Sequence, residues 1–107
     1  MKLTAIYGSP YDVQAVTNVI LSYGVAFHIN PGSIDDFRAF QIEFDFWSID
    51  ACELNEVVRE LQILVEDNIT EHVYITVEHN DVKKRFEIAC FDICIDEDSF
   101  ASKEQIR

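Results

Sequence analysis

The chain has 107 residues, of which 20 are Asp or Glu and eight are Lys or Arg, so its formal net charge at pH 7 is −12. Nearly half of the residues are hydrophobic (49%), which suffices for the core of one domain and excludes an intrinsically disordered chain. The negative charge disfavours nucleic acids and anionic membranes as partners, and no run reaches the roughly 18 apolar residues of a membrane span.

The first 24 residues predict a strand followed by a helix. The segment Lys2–Tyr7 is rich in β-branched and aromatic residues, as is typical of a strand. Ser9 and Pro10 suit the N-cap and the first position of a helix, and apolar residues recur at helical spacing as far as Tyr23. Gly24 is then a suitable residue to end the helix.

The next two predicted elements are strands that form a hairpin. We expect the second strand at Val25–Ile29 and the third at Arg38–Trp47. In the third strand four apolar residues alternate with a second set, which is Gln41, Glu43, Asp45 and Trp47. Period-two alternation is typical of a strand with one buried face, so we expect this second set to face water.

The second half of the chain predicts a helix and two more strands. Asp50 and Glu53 have the spacing of a capping box, and an apolar stripe runs from Leu54 to Val65. Strands are expected at Val73–Val77 and Lys83–Ile95, joined by a turn. The acidic residues of the helix are expected mostly on the side opposite the stripe, and they are Glu53, Glu56, Glu60 and Asp67.

This element order predicts the fold class. The order β-α-β-β-α-β with an additional C-terminal strand is that of a ferredoxin-like α+β fold, with an antiparallel sheet and two helices on one face. We assign residues 1–95 to a single α+β domain and residues 96–107 to a polar, acidic C-terminal tail.

Residue types that carry catalysis or bind metals show no convincing pattern. The cysteines Cys52, Cys90 and Cys94 are odd in number, and we expect reduced, buried side chains. The three histidines lack the spacing of a zinc site. We therefore predict no catalytic residues, no metal, no cofactor and no enzymatic activity.

The acidic residues offer the strongest functional hypothesis. Residues 35–78 contain twelve acidic and two basic residues, and such a surface attracts basic proteins. By analogy with immunity proteins and viral nucleic-acid mimics, we expect an inhibitor that occludes the site of a basic, nucleic-acid-handling protein, such as a nuclease. The predicted partner-binding residues are Glu43, Asp45, Trp47, Glu53, Glu56 and Glu60.

Three alternatives remain open at this stage. The negative charge could serve solubility alone. The chain also resembles ACT-type regulatory domains in its element order, which implies a small-ligand site at Tyr7–Tyr11 and near Tyr23 and Gly24. Finally, it could be an assembly subunit of a larger complex. We expect a cytoplasmic monomer or dimer, in the producing cell or in a host cell, that binds neither membranes nor nucleic acid directly.

Overall fold

A computed structural model describes residues 1–31, 40–44, 47–70, 73–88 and 94–100. In these ranges the elements, in chain order, are β1 (Lys2–Gly8), α1 (Val13–Leu21), β2 (His28–Pro31), β3 (Phe40–Glu43), α2 (Ala51–Glu66), β4 (Val73–His79) and β5 (Val82–Ile88). Two short 3-10 helices, Pro10–Asp12 and Glu97–Phe100, complete the described structure.

The five strands form one sheet in the order β2-β3-β1-β4-β5, and every neighbouring pair is antiparallel. The predicted α+β class with an antiparallel sheet and two helices is therefore confirmed. The central strand β1 is the first strand in the chain. Its two neighbours, β3 and β4, lie about 40 and 70 residues later.

The second helix begins where its capping residue predicts, whereas α1 begins at Val13, three residues later than expected, after a 3-10 turn. The Ser9 hydroxyl accepts a hydrogen bond from the Tyr11 N–H, and Pro10 opens the 3-10 turn that leads into α1. The Asp50 carboxylate accepts a hydrogen bond from the Glu53 N–H at 2.8 Å, which fixes the start of α2. Beyond α1, Gly24 has a φ of +67°, a left-handed conformation that glycine adopts without steric cost.

One face of the sheet, the helix-bearing face, carries the core. Ile42, Ile6 and Ile75 are cross-strand neighbours on β3, β1 and β4, and all three are fully buried. The buried apolar residues of the two helices belong to the same cluster, and they are Val16, Ile20, Leu54, Val57, Val58 and Leu61. Both helices therefore cover this face, since their apolar stripes need a partner surface.

The opposite face, called the second face, holds the alternate residues of each strand. One cross-strand row consists of Asn30, Gln41, Tyr7, Tyr74 and Glu87, and the next consists of His28, Glu43, Ala5, Thr76 and Arg85. As predicted, Gln41 and Glu43 lie on this face. Among the described residues no helix packs on it, because both helices contribute to the core on the other side.

Trp47 does not belong to the second face, and this expectation was wrong. Regular alternation from Glu43 would have placed it there, but β1 contains a bulge between Leu3 and Ala5. The bulge turns Leu3 to the helix-bearing face, and the Leu3 N–H donates to the Trp47 carbonyl at 3.0 Å. Trp47 follows Leu3 into the core and is only 7% exposed.

Strand boundaries also differ from the prediction. The third strand was expected to reach Trp47, but β3 is Phe40–Glu43, and Phe44 and Trp47 are not strand. The second strand begins at His28, because residues 25–27 connect the end of α1 to the sheet, with Val25 and Phe27 packed against the core. The last strand is described only as far as Ile88, and residues 94–96 are not strand. Residues 89–93, including Cys90, lie outside the described residues.

The chain following residue 93 is joined to the domain by specific contacts. The Asn55 side chain donates to the Ile95 carbonyl at 2.8 Å and accepts from the Ile95 N–H at 2.9 Å. Phe100 is fully buried and packs edge-on against the rings of His79 and Phe86.

Cys94, in contrast, is exposed, as is Cys52, so the expectation of buried cysteines was wrong for both. The assignment of residues 96–107 to a tail stays a prediction, and residues 101–107 lie outside the described residues.

Candidate functional site

Three predicted site residues form a row on α2, which we call the acidic row: Glu53, Glu56 and Glu60. All three are exposed. Their spacing of three and four residues places them on one side of the helix, one above the other. Leu54, Val57 and Leu61 on the same helix are fully buried, so the apolar stripe holds the carboxylates at the surface.

Tyr23, which follows α1, lies beside the acidic row. Its hydroxyl donates a hydrogen bond to the Glu60 carboxylate. Burial raises the pKa of this phenol above its usual range, and the bond to Glu60 and the negative charges of Glu60, Glu56 and Glu53 raise it further. The tyrosine is therefore a neutral hydrogen-bond donor in a strongly negative environment at physiological pH.

The buried ring of Trp47 packs against the ring of this tyrosine. The two ring centroids are 5.6 Å apart at an angle of 51°, and Trp47 in turn contacts Phe44 edge-on at 5.0 Å. Phe27 extends the cluster through Phe44 at 6.5 Å. Trp47 was expected to be an exposed contact for the partner, but it is a buried residue that positions Tyr23. The aromatic ring available at the surface is that of Tyr23.

Exposed apolar residues continue the acidic row toward the C-terminal end of α2. Ile63 follows Glu56 by seven and Glu60 by three positions, so it shares their side of the helix, and it is 45% exposed. Ile69, just beyond the helix, is 54% exposed. Exposed apolar side chains beside charged ones also occur at protein-binding surfaces.

The structure separates Glu43 from the acidic row. Glu43 lies on the second face of the sheet, whereas α2 covers the helix-bearing face. The Gln41 side-chain amide donates to the Glu43 carboxylate at 2.8 Å and so restrains it. Asp45, also predicted as a binding residue, lies outside the described residues. Glu43 and the acidic row therefore do not form one site.

Several residues of these surfaces were missed from the sequence. Tyr23 was expected at an apolar position of the first helix and near the alternative small-ligand site, but not beside the acidic row. Its pairing with Glu60 joins positions 37 residues apart. Arg85 is not among the predicted site residues, but its guanidinium lies over the rings of Tyr7 and Tyr74. The alternation along the last strand could have placed Arg85 on this face, because it puts Arg85 and Phe86 on opposite faces of the sheet.

Other kinds of site have less support. In the described parts of the chain no cluster of three or more His, Cys, Asp or Glu side chains is suited to a metal ion. A shallow, polar cavity of about 220 Å³ lies between Ser48, the N-terminus and the β4–β5 turn, where Asn80 and Asp81 line it. No helix within the described ranges has the length and apolar character needed to cross a membrane.

Comparisons with known proteins identify no relative. No protein-family model, no curated protein and no solved structure matches the chain. Its function must therefore be argued from the chemistry of the surfaces described above.

Proposed function

We propose that the protein is a non-enzymatic inhibitor that binds a basic protein through the acidic row of α2. Glu53, Glu56 and Glu60 carry the charge, and Tyr23 offers a neutral aromatic surface beside them. The partner would be a nucleic-acid-handling protein such as a nuclease, whose basic groove normally receives phosphates. The acidic row, fixed on a helix and bordered by apolar residues, is the observation that carries this proposal.

Electrostatics supports the choice of a basic partner. With a net charge of −12, the whole chain attracts positively charged surfaces from a distance and repels nucleic acid. Successive carboxylates of the row rise along the helix by about 4.5 Å and 6 Å. That spacing is of the same order as the roughly 3.4 Å between charges along one nucleic-acid strand. A groove that binds phosphates would therefore also accept this row and be closed to its substrate.

The exposed isoleucines support binding to a protein rather than to simple cations. Charged contacts at the rim of an interface mainly increase the association rate, while apolar contacts buried at its centre slow dissociation. Ile63 and Ile69 are suited to the second role. Retention of the complex at moderate salt would depend on them, because salt screens the carboxylates and leaves apolar contacts intact.

Charge reversal with a matched control tests the proposal. The partner is first captured from lysate at low salt and identified, and its binding kinetics are then measured. The variant Glu53→Lys, Glu56→Lys, Glu60→Lys should reduce affinity more than about 10-fold, chiefly through the association rate. The control Asp96→Lys, Glu97→Lys, Asp98→Lys makes the same change in net charge at exposed positions, beside and within the 3-10 helix that contacts β4 and β5.

Two results would contradict the proposal. If both triple variants lose affinity equally, the attraction depends on net charge alone and the row is not the interface. If the captured partner is not basic, or if its own activity persists in the saturated complex, the protein does not act by occluding a phosphate-binding site.

For the fold, we infer a ferredoxin-like arrangement with one added edge strand. The neighbour relations β2-β3-β1-β4 and the antiparallel pairing support this inference, because a β-α-β-β-α-β unit has this order. In that arrangement β5 extends the sheet beyond β4 through the hairpin.

The small-ligand alternative has weaker support. Tyr11, in the turn following β1, is 95% exposed, as a ligand-contacting residue could be. However, Tyr11 and Tyr23 flank opposite ends of α1, whose nine residues span about 13 Å. The two expected ligand-binding segments therefore do not converge within one chain. A rise in melting temperature with any amino acid would revive this alternative.

A further inference from the structure

The second face of the sheet holds two charged groups of opposite sign, each restrained by neighbours. On the β4–β5 side the Arg85 guanidinium lies 4.5 Å from the ring centroid of Tyr7 and 5.4 Å from that of Tyr74. Such cation–π contacts hold the guanidinium over the two rings while its N–H groups stay available at its edge. Arg85 is exposed although both rings are partly buried.

The negative group lies on the other side of β1. Glu43 is exposed on β3, directly across from Ala5, and Gln41 donates a hydrogen bond to its carboxylate. Between the two groups the face carries small side chains, Ala5 and Thr76, which are both buried. This row of the face is therefore low at Ala5 and Thr76, whereas the neighbouring row carries the rings of Tyr7 and Tyr74 beneath the Arg85 guanidinium.

We propose that the second face binds the same face of a second copy of this chain, forming a two-fold symmetric dimer. A half-turn about an axis parallel to the strands near β1 exchanges the β3 side of the face with the β4–β5 side. It places Arg85 of one copy over Glu43 of the other, and symmetry creates the pair twice. Charge complementarity of the face with itself thus selects a second copy as the occupant.

The dimensions of the face are compatible with such a dimer. Five strands about 4.8 Å apart form a face about 24 Å wide, whose length falls from about 23 Å along β1, β4 and β5 to about 13 Å along the four-residue strands β2 and β3. Two such faces in contact would bury on the order of 1,000 Å², which is at the lower limit for a specific interface. Two sheets that stack in this way align their strands within about 30°, as the twist of each sheet requires.

The interface would leave the acidic row free. The row lies on α2, which covers the helix-bearing face, whereas the dimer contact is on the second face. A dimer would present two acidic rows facing away from each other. It could therefore bind two partner molecules, and loss of the dimer would not by itself abolish partner binding.

Charge reversal and its rescue test this proposal on the full-length protein. Mass in solution is measured by sedimentation equilibrium at up to about 100 μM and about 0.15 M salt, where a Debye length near 8 Å screens the repulsion between two negative chains. The wild type should approach twice the monomer mass of 12.4 kDa. Arg85→Glu or Glu43→Arg alone should weaken association at least about 10-fold, and the double variant should restore it.

A matched variant separates the contact from net charge. Lys84→Glu makes the same charge change as Arg85→Glu on the same strand, but Lys84 lies over the Phe100 ring on the helix-bearing face. It should leave the dimer intact. Circular dichroism confirms that each variant is folded. A wild type that stays monomeric throughout, single variants that associate normally, or a double variant that fails to recover would each overturn the proposal, whatever other protein the face then binds.

Discussion

The hydroxyl of Tyr23 donates a hydrogen bond to the carboxylate of Glu60, which joins the end of α1 to the middle of α2. The bond aligns one carboxylate of the acidic row and places an aromatic ring next to it. Because Trp47 supports that ring from below, the site depends on the packing of the whole domain and not on α2 alone.

The Tyr23–Glu60 bond should make stability depend on alkaline pH. The pKa of Tyr23 is raised in the folded state, so its contribution is fully present below the unfolded value of about 10 and is lost as pH rises above it. Tyr23→Phe should lower the free energy of unfolding by about 1 kcal/mol at pH 7. Urea unfolding should show that this difference shrinks by pH 11. A difference that stays constant from pH 7 to pH 11 would contradict the raised pKa.

Removal of Trp47 should destabilise the domain strongly. Trp47→Ala leaves a cavity beneath Tyr23 and beside Phe44, and we expect a loss of about 3–5 kcal/mol in the free energy of unfolding. Tyr11→Ala, at a residue that is 95% exposed, is the control and should change it by less than about 0.5 kcal/mol. If both substitutions have equal, small effects, Trp47 is not buried in the core but exposed to solvent, as the sequence predicted.

Asn55 should control the attachment of the segment around Ile95. Asn55→Ala removes the partners of both the Ile95 N–H and its carbonyl, and we expect a loss of about 2–3 kcal/mol. Hydrogen exchange of the Ile95 amide should accelerate much more than that of Ile75 in the sheet core. The control Asn18→Ala, at an exposed position of α1, should leave both amides unchanged. If Ile95 exchanges at the wild-type rate in Asn55→Ala, the side-chain clamp does not hold the segment.

The β4–β5 turn offers a stabilising substitution. Asn80 and Asp81 both have positive φ angles, 53° and 62°, as a two-residue type I′ hairpin requires. Asp81→Gly should raise the free energy of unfolding by about 0.5 kcal/mol, because glycine adopts this conformation without strain. Asp81→Val should lower it by about 1 kcal/mol or more, because a β-branched residue is disfavoured there. Thermal unfolding should rank Asp81→Gly above the wild type and the wild type above Asp81→Val in stability. Any other order would contradict this prediction.

Local features of the fold were predictable from the sequence. The caps at Ser9 and Asp50, the glycine after α1 and the turn at Asn80 each depend on residues within about four positions. The exposure of the acidic row was predictable for the same reason, since a helix with an apolar stripe must present its other side to water.

The faces of the strands were only partly predictable. Alternation correctly placed Gln41 and Glu43 together, but it failed at Trp47, because the bulge in β1 changes which side of the sheet its neighbour occupies. A bulge in one strand is invisible in the sequence of the strand that pairs with it. The stretch from Leu3 to Ile6 is also apolar at three of four positions, so its own pattern conceals the change of face.

The sequence by itself determined the element types, the negative charge and the carboxylates that α2 presents. Only the tertiary structure decided which groups meet: Tyr23 with Glu60, Arg85 with two tyrosines, and Glu43 on a surface apart from the acidic row. The physical reason is the range of the interactions. Caps, turns and helix faces depend on residues within about four positions in the chain. The contacts named above depend instead on strand register and helix docking, and they join residues 11 (Tyr74 and Arg85), 37 (Tyr23 and Glu60) and 78 (Tyr7 and Arg85) positions apart.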